Sequence, residues 1–160
     1  MIEWPPLMIA VAPNGARKTH ADHAALPLTA NEIAIDAKAC RDAGAVMLHM
    51  HVRDANGAHS LDADTYRAAI DAVRNVVGDE LVIQITTEAV GCYTTDQQIA
   101  VVRQVHPEAA SVALKELTAD GEEKAAAFYH WAFAEKIALQ HILYTPDEVA
   151  QLSDMVRRAV

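Results

Sequence analysis

The sequence is poor in cysteine and in positive charge, and it has no long uncharged apolar run. Its two cysteines, Cys40 and Cys92, form no CxxC pattern, which excludes a disulfide framework and a zinc knuckle. Thirteen Lys and Arg against 22 Asp and Glu give a net charge of −9, which argues against nucleic acid or an anionic membrane as partner. The first residues, MIEWPPL, lack the basic region and apolar stretch of a signal peptide. We therefore expect a cytoplasmic protein that binds neither nucleic acid nor membrane.

Nucleotide-binding signatures are also missing, because no GxGxxG or GxxxxGK[ST] motif follows an apolar run. What the sequence does contain is a regular alternation of short apolar runs and amphipathic segments. The runs are apolar on both alternating faces, which is typical of strands in a buried parallel sheet. They predict five strands, at residues 7–12, 45–52, 81–86, 110–115 and 139–144.

Start and stop signals predict a helix after each strand. Thr29 with Glu32 forms a capping box, and Gly44 suits a left-handed C-cap. An apolar stripe at helical spacing runs from Tyr66 to Val77 and ends before Gly78. The remaining predicted starts are Thr95 with Gln98, Asp120 with Glu123, and Thr145 with Pro146 and Glu148.

Five successive βα units fit either an open doubly wound sheet or part of a (β/α) barrel. An eight-unit barrel takes about 250 residues, so five units need roughly 160. The chain has 160 residues, and the missing nucleotide signatures make the doubly wound alternative less favoured. We predict an α/β fold, a TIM-type barrel of which about five of the eight units are present. Residues 1–160 would then form a single domain, the N-terminal portion of the barrel.

The stretch MLHMHVRD, residues 47–54, places two histidines in an apolar run. Side chains at i and i+2 of a strand share a face, so His49 and His51 should be neighbours near the strand's C-terminal end. Barrel enzymes build their active sites at that end, and catalytic zinc takes three protein ligands. A pair of hydrogen-bonded core histidines is the alternative, but the HxH pattern followed by Arg53 favours a metal site. The cluster HADH, residues 20–23, also resembles a ligand set, although a solvated loop is the better interpretation.

Polar residues accumulate where the other predicted strands end. Loops are polar in any protein, but Thr86 and Ser111 stand within apolar runs, where bonding to nearby backbone is the alternative interpretation. The candidate substrate-binding residues are Asn14, Arg17, Arg53, Thr86, Thr87 and Ser111.

Three segments together resemble the β-keto acid cleavage enzyme family: APNGARKTHADHAALPLT, AGAVMLHMHVRDANGAHSLD and IQITTEAVG. The resemblance implies a (β/α) barrel that binds one zinc ion and condenses a β-keto acid with acetyl-CoA as co-substrate. The implied products are acetoacetate and a new CoA thioester. By position, His49 and His51 would be zinc ligands, and Thr86 and Ser111 would lie near the substrate's carboxylate and carbonyl. Arg17, Lys18 and Arg53 would supply positive charge for the thioester, and we expect the full-length protein to be a homo-oligomer.

The sequence also departs from the family pattern. A lysine-fermentation member has a glutamate where this chain has Arg17, so an anionic or neutral substrate side chain fits better than an amino group. The family's third zinc ligand and its deprotonating residues come from later strands, so the catalytic base is unknown here and is expected beyond residue 160. Glu88 or Glu116 could complete the zinc sphere, but their spacing favours neither. Two alternatives stay open: another zinc-dependent barrel lyase or aldolase, and a truncated, non-catalytic metal-binding fragment.

Overall fold

A computed structural model describes residues 7–158, so Met1 to Pro6, most of the stretch that argued against a signal peptide, lie outside the described residues. Strands and helices alternate along the chain. In chain order they are β1 (Ala10–Val11), α1 (Ala30–Asp42), β2 (Met47–Met50), β3 (Val52–Arg53), β4 (His59–Ser60), α2 (Ala63–Val77), β5 (Val82–Thr86), α3 (Thr95–Val105), β6 (Ala109–Ala113), α4 (Leu114–Leu117), α5 (Glu122–Ala134), β7 (Ala138–Ile142) and α6 (Pro146–Arg157).

The main sheet has five parallel strands in the order β1-β2-β5-β6-β7, which is their order along the chain. A doubly wound sheet reverses its strand order at a switch point, whereas a (β/α) barrel adds each strand beside the previous one. The observed order therefore confirms the predicted α/β class and is consistent with a TIM-like arrangement. None of the helices described between residues 7 and 158 is long and apolar enough to cross a bilayer.

One face of the sheet carries the core. Leu48, Met50, Ile85 and Val112 are fully buried there and pack with the apolar stripes of the helices, including Tyr66 of α2. Because side chains alternate along a strand, the residues between them point to the opposite face. That inner face carries the polar side chains of the candidate site.

Helix starts are confirmed at both ends of the chain. Thr29 and Glu32 form the predicted capping box of α1, and Thr145 caps α6 with Pro146 in its first turn. Gly44 follows α1 with a φ of +102°, a backbone conformation that glycine adopts without steric cost. The sequence therefore located the helix start correctly in these two segments, where a single capping residue was available.

The helix α3 begins at Thr95, but its predicted capping pair is wrong by one residue. Thr94 caps the helix and forms the capping box with Gln97, because the extended backbone of Thr94 points its hydroxyl at the first turn. Thr95 and Gln98 are buried instead, and they bond to the Glu116 carbonyl and the Thr87 carbonyl.

The predicted start of α5 is also wrong. Gly121 occupies the N-cap position without a side-chain bond, and Asp120 accepts a hydrogen bond from Lys124 at 2.9 Å. The carboxylate of Asp120 is therefore used in an i,i+4 ion pair rather than in a cap.

The strand predicted at residues 45–52 ends early, at Met50. The side chain of Asn14 accepts a bond from the His51 amide at 3.2 Å and donates one to the His51 carbonyl at 2.8 Å, which takes both backbone groups away from the sheet. The chain then forms a two-stranded antiparallel hairpin from β3 and β4. A turn at Asn56-Gly57 joins these strands, and Gly57 has a φ of +80°. Similarly, the strand predicted at residues 110–115 ends at Ala113 and continues as the short helix α4.

Candidate active site at the carboxyl ends of the strands

Polar side chains of neighbouring strands meet on the inner face of the sheet. His49 of β2 is the register partner of Gln84 of β5, and Thr86 of β5 is the partner of Ser111 of β6. His51 follows β2 on the same face, as its i+2 spacing from His49 predicts. Four residues that the sequence singled out thus share one face at the carboxyl ends of parallel strands.

The two histidines point their Nε2 atoms at each other. These atoms are 3.2 Å apart, and the ring planes meet at 75°. Burial lowers the pKa of His49. Burial is also the main reason that the pKa of His51 falls to about 3, and the neighbouring His49 lowers it further. Both imidazoles are therefore neutral near pH 7, and a neutral ring is the form that binds a metal ion.

The hydroxyls of Thr86 and Ser111 form a second pair beside the histidines. Their oxygens are 3.3 Å apart, and the Thr86 oxygen also accepts the backbone amide of Glu88 at 3.1 Å. Two hydroxyls carry two hydrogens, and only one hydrogen is used between them. The pair thus keeps one O–H that can donate to a ligand oxygen.

A cavity of about 140 Å³ joins the two pairs. Its lining consists of His49, His51, Thr86, Glu88, Ser111, Ala113, Glu116, Ile142 and Tyr144. The structure thus brings together the predicted metal ligands and two of the predicted substrate-binding residues. A larger cavity of about 590 Å³ lies between α5, β7 and α6, but its lining contains none of the predicted site residues.

Glu88 connects the cavity to the first loop, residues 12–29, which joins β1 to α1. One carboxylate oxygen is 3.2 Å from the guanidinium of Arg17, and the other is 4.0 Å from Nδ1 of His51. The side chain of Arg17 is 74% exposed and does not line the cavity, but its charge lies beside a carboxylate that does.

Glu116, the other acidic residue in the cavity lining, is held by two hydrogen bonds. Its carboxylate accepts bonds from the Gln98 side chain at 2.7 Å and from the Ala89 amide at 3.2 Å. Within residues 7–158 there is no group of three or more His, Cys, Asp or Glu side chains placed to hold a metal ion. The two histidines therefore converge without a third ligand from the described part of the chain.

Four predicted substrate-binding residues lie outside the cavity lining: Arg17, which pairs with Glu88, and the three that bond to backbone, Asn14, Thr87 and Arg53. Asn14 holds the end of β2 through His51, as described above, and Thr87 donates to the Ser111 carbonyl at 3.0 Å. The buried guanidinium of Arg53 donates to the carbonyls of Gly15 at 2.6 Å and Lys18 at 3.1 Å and also bonds to that of Ala16. These contacts order the loop that carries Arg17, while direct contact of the three side chains with a substrate stays a prediction.

The histidines of the HADH segment lie in an exposed loop away from this cavity. His20 bonds to the Leu26 carbonyl at 2.8 Å, and His23 accepts the Ala25 amide at 3.3 Å. Both contacts are local, as the solvated-loop interpretation predicts.

Sequence reasoning missed His59, whose ring centre lies 5.1 Å from that of His51. His59 is buried, bonds to the Glu88 carbonyl through Nε2, and is covered by Tyr93, which donates to the His59 carbonyl. Burial lowers its pKa as well. The Asn56-Gly57 dipeptide is a hairpin signal that could have placed His59 beside the end of β2.

Comparison with known proteins gives a consistent result. The profile of the β-keto acid cleavage enzyme family matches residues 6–160. A 3-keto-5-aminohexanoate cleavage enzyme from Fusobacterium nucleatum is 35% identical over 106 residues, and one from Acetoanaerobium sticklandii is 32% identical over 106 residues. Each alignment covers 66% of this chain and 38% of the relative. A 3-oxoadipate:acetyl-CoA acetyltransferase from Cupriavidus necator is 30% identical over 69 residues, which are 43% of this chain and 24% of that protein. The chain belongs to the β-keto acid cleavage enzyme family.

Proposed function

We propose that this chain supplies part of the active site of a zinc-dependent β-keto acid cleavage enzyme. In the proposed reaction a β-keto acid and acetyl-CoA give acetoacetate and a new CoA thioester. The observation that carries the proposal is the convergence of two neutral imidazoles and two hydroxyls on one small cavity at the carboxyl ends of parallel strands. We also propose that the sheet is part of a closed barrel, since its strand order is the one that such a barrel requires.

The distance between the two histidines supports the zinc ligands of the proposal. Zinc binds imidazole nitrogen at about 2.0 to 2.1 Å, so two ligands of a tetrahedral ion lie roughly 3.3 Å apart. The observed separation of the Nε2 atoms is 3.2 Å. The two side chains thus fit two ligand positions, and a third ligand is proposed to come from outside residues 7–158. When bound, zinc polarises a carbonyl oxygen and so lowers the cost of the enolate that attacks the thioester.

The hydroxyl pair and Arg17 are proposed to hold the keto acid. The unused O–H of Thr86 and Ser111 can donate to the substrate's carboxylate or carbonyl oxygen, which orients the acid beside the histidines. Asn14, Thr87 and Arg53 support this role through the backbone bonds that fix β2, β6 and the first loop. The base is proposed to come, like the third ligand, from outside the described residues.

Arg17 supports an anionic substrate side chain. The relative named for 3-oxoadipate acts on a dicarboxylic acid, which keeps a carboxylate at the end distant from the keto acid group. The guanidinium of Arg17 is exposed beside Glu88, which lines the cavity, so such a carboxylate can compete with Glu88 for it. We therefore propose that the preferred substrate is a dicarboxylic β-keto acid.

A coupled assay tests the reaction in the native protein. We expect acetoacetate to form from 3-oxoadipate only when acetyl-CoA is present, and we expect the activity to be lost after zinc removal and restored by added zinc. Cleavage without acetyl-CoA would contradict the proposal and would indicate a lyase or aldolase. Zinc binding without turnover of any keto acid tested would indicate a non-catalytic metal-binding protein.

A further inference from the structure

A chain of side-chain amides stands behind His49. Its Nδ1 atom is 2.7 Å from Oε1 of Gln84, and Nε2 of Gln84 is 2.9 Å from Oε1 of Gln140. Gln84 is 1% exposed, so water does not satisfy its amide in place of these partners. The cavity lining includes neither glutamine, so a direct part in substrate binding does not account for them.

The polarity of this chain determines which nitrogen of His49 carries the proton. The Gln84 amide nitrogen donates to Gln140, so the Gln84 oxygen faces His49, and an amide oxygen only accepts hydrogen bonds. His49 therefore donates through Nδ1–H. The lone pair of the neutral ring is then on Nε2, the atom that faces His51.

The sheet explains how Gln84 and Gln140 meet. They stand on β5 and β7, with β6 between them, so they are two strand spacings or roughly 9.5 Å apart across the sheet and are also offset by two residues along the strands. The inner-face partner of Gln84 on β6 is Ala109, which is buried and has only a methyl group as its side chain. The partner of Gln140 on β6 is Ser111, so the two long amide side chains can meet diagonally past two small residues, which larger side chains would obstruct.

The second histidine has no comparable support. Nδ1 of His51 is buried and has no hydrogen-bond partner among the residues described, since the carboxylate of Glu88 remains 4.0 Å away. The amide chain therefore fixes one of the two rings and leaves the other to be fixed by a ligand.

We propose that Gln84 is a positioning residue that, held by Gln140, sets the Nδ1–H tautomer of His49 and keeps its Nε2 lone pair directed at the metal. This inference rests on the zinc site proposed above. Partners of this kind orient the ligands of metal sites, and their loss typically costs about 10- to 100-fold in metal affinity. A glutamine in this place supplies an acceptor without adding a charge to the buried face.

The first test measures the tautomer directly in the metal-free native protein. Nitrogen-15 chemical shifts of His49, assigned with the help of a His49→Gln variant, should show a protonated Nδ1 and an unprotonated Nε2. The opposite tautomer in the wild type would overturn the proposal whether or not the protein binds zinc. This measurement therefore separates failure of the inference from failure of the proposed zinc function.

The second test measures zinc affinity by competition with a chelator. Gln84→Leu and Gln84→Met should each weaken binding about 10- to 100-fold. Gln84→Glu keeps an acceptor for Nδ1–H and should bind zinc at least as tightly as the wild type, and Gln140→Leu should weaken binding less than Gln84→Leu. If the wild type binds zinc and the Leu and Met variants bind it equally well, Gln84 is a packing residue and the inference is wrong.

The two substitutions to apolar residues guard against a folding artefact. Leu and Met differ in shape, so a shared loss of zinc affinity with unchanged unfolding midpoints supports positioning. A loss that follows the loss of stability instead, and that Gln84→Glu does not rescue, contradicts it.

Discussion

Replacing Thr86 with valine separates the structural use of its hydroxyl from its proposed use in substrate binding. The Thr86 oxygen accepts the Glu88 amide and the Ser111 hydroxyl, at 3.1 and 3.3 Å. Valine keeps the side-chain shape and leaves these two donors without an acceptor, which should cost about 1 to 3 kcal/mol of unfolding free energy for each donor that stays unpaired. Domains are usually stable by about 5 to 15 kcal/mol, so the variant should remain folded.

The proposed substrate contact predicts a much larger loss of kcat/KM in Thr86→Val than in the control variant Thr86→Ser. Losing a hydrogen bond to a charged group costs about 1.5 to 3 kcal/mol, which lowers kcat/KM for the keto acid roughly 10- to 150-fold. Thr86→Ser keeps the oxygen and loses one buried methyl group, worth about 1 kcal/mol of stability, so its kcat/KM should stay near the wild-type value. Urea unfolding and steady-state kinetics of the native protein measure both quantities. Equal kcat/KM for the Val and Ser variants would refute a substrate contact and make Thr86 purely structural.

Three further predictions concern the metal, the substrate charge and the first loop. The double variant His49→Ala plus His51→Ala should contain no zinc by elemental analysis, and zinc equal to the wild type would contradict metal binding by this pair. Arg17→Glu should lower kcat/KM for 3-oxoadipate about ten-fold, because an exposed attraction of up to about 1 kcal/mol becomes a repulsion. The control is Lys18→Glu, which makes the same charge change at the neighbouring residue. An equal loss of kcat/KM in the control would show a general effect of net charge and contradict a specific role for Arg17. Arg53→Met should destabilise the fold by about 1.5 to 3 kcal/mol and speed amide hydrogen exchange in residues 15–18, with Arg53→Lys intermediate; unchanged exchange would mean that the guanidinium does not order the loop.

The pattern of the strands predicted the inner face of the sheet well, because the two-residue period is a local property of the chain. It placed His49 and His51 on one face, and the apolar residues Leu48 and Met50 are buried on the other, as expected. Thr86 and Ser111 were singled out only as polar residues within apolar runs, and their contact follows from the parallel pairing of β5 with β6. The two-residue period does not indicate the hydrogen-bond partner of each side chain.

The sequence did not predict which side chains and backbone groups from distant parts of the chain bond to each other. Gln84 and Gln140 are 56 residues apart and meet through the parallel pairing of β5, β6 and β7. Arg53 ends the HxHxR segment and stays a predicted substrate ligand, and the sequence did not predict that its guanidinium bonds to carbonyls of a loop about 35 residues earlier. An arginine at a strand end has the same local sequence in either role, so only the tertiary arrangement distinguishes them.

The inner face therefore contains two kinds of polar group, which differ in whether their hydrogen-bonding capacity is already used. The amide of Gln84 is buried and bonds to both His49 and Gln140, so displacing it would leave buried groups unpaired at a cost of about 1 to 3 kcal/mol each. Nδ1 of His51 and one hydroxyl hydrogen of the Thr86–Ser111 pair remain without a partner among the described residues. A ligand that enters the cavity gains most from groups whose bonds are still available, since it need not break a bond to use them. We therefore expect the substrate to contact the hydroxyl pair, while the amide chain keeps the ring of His49 in a fixed orientation.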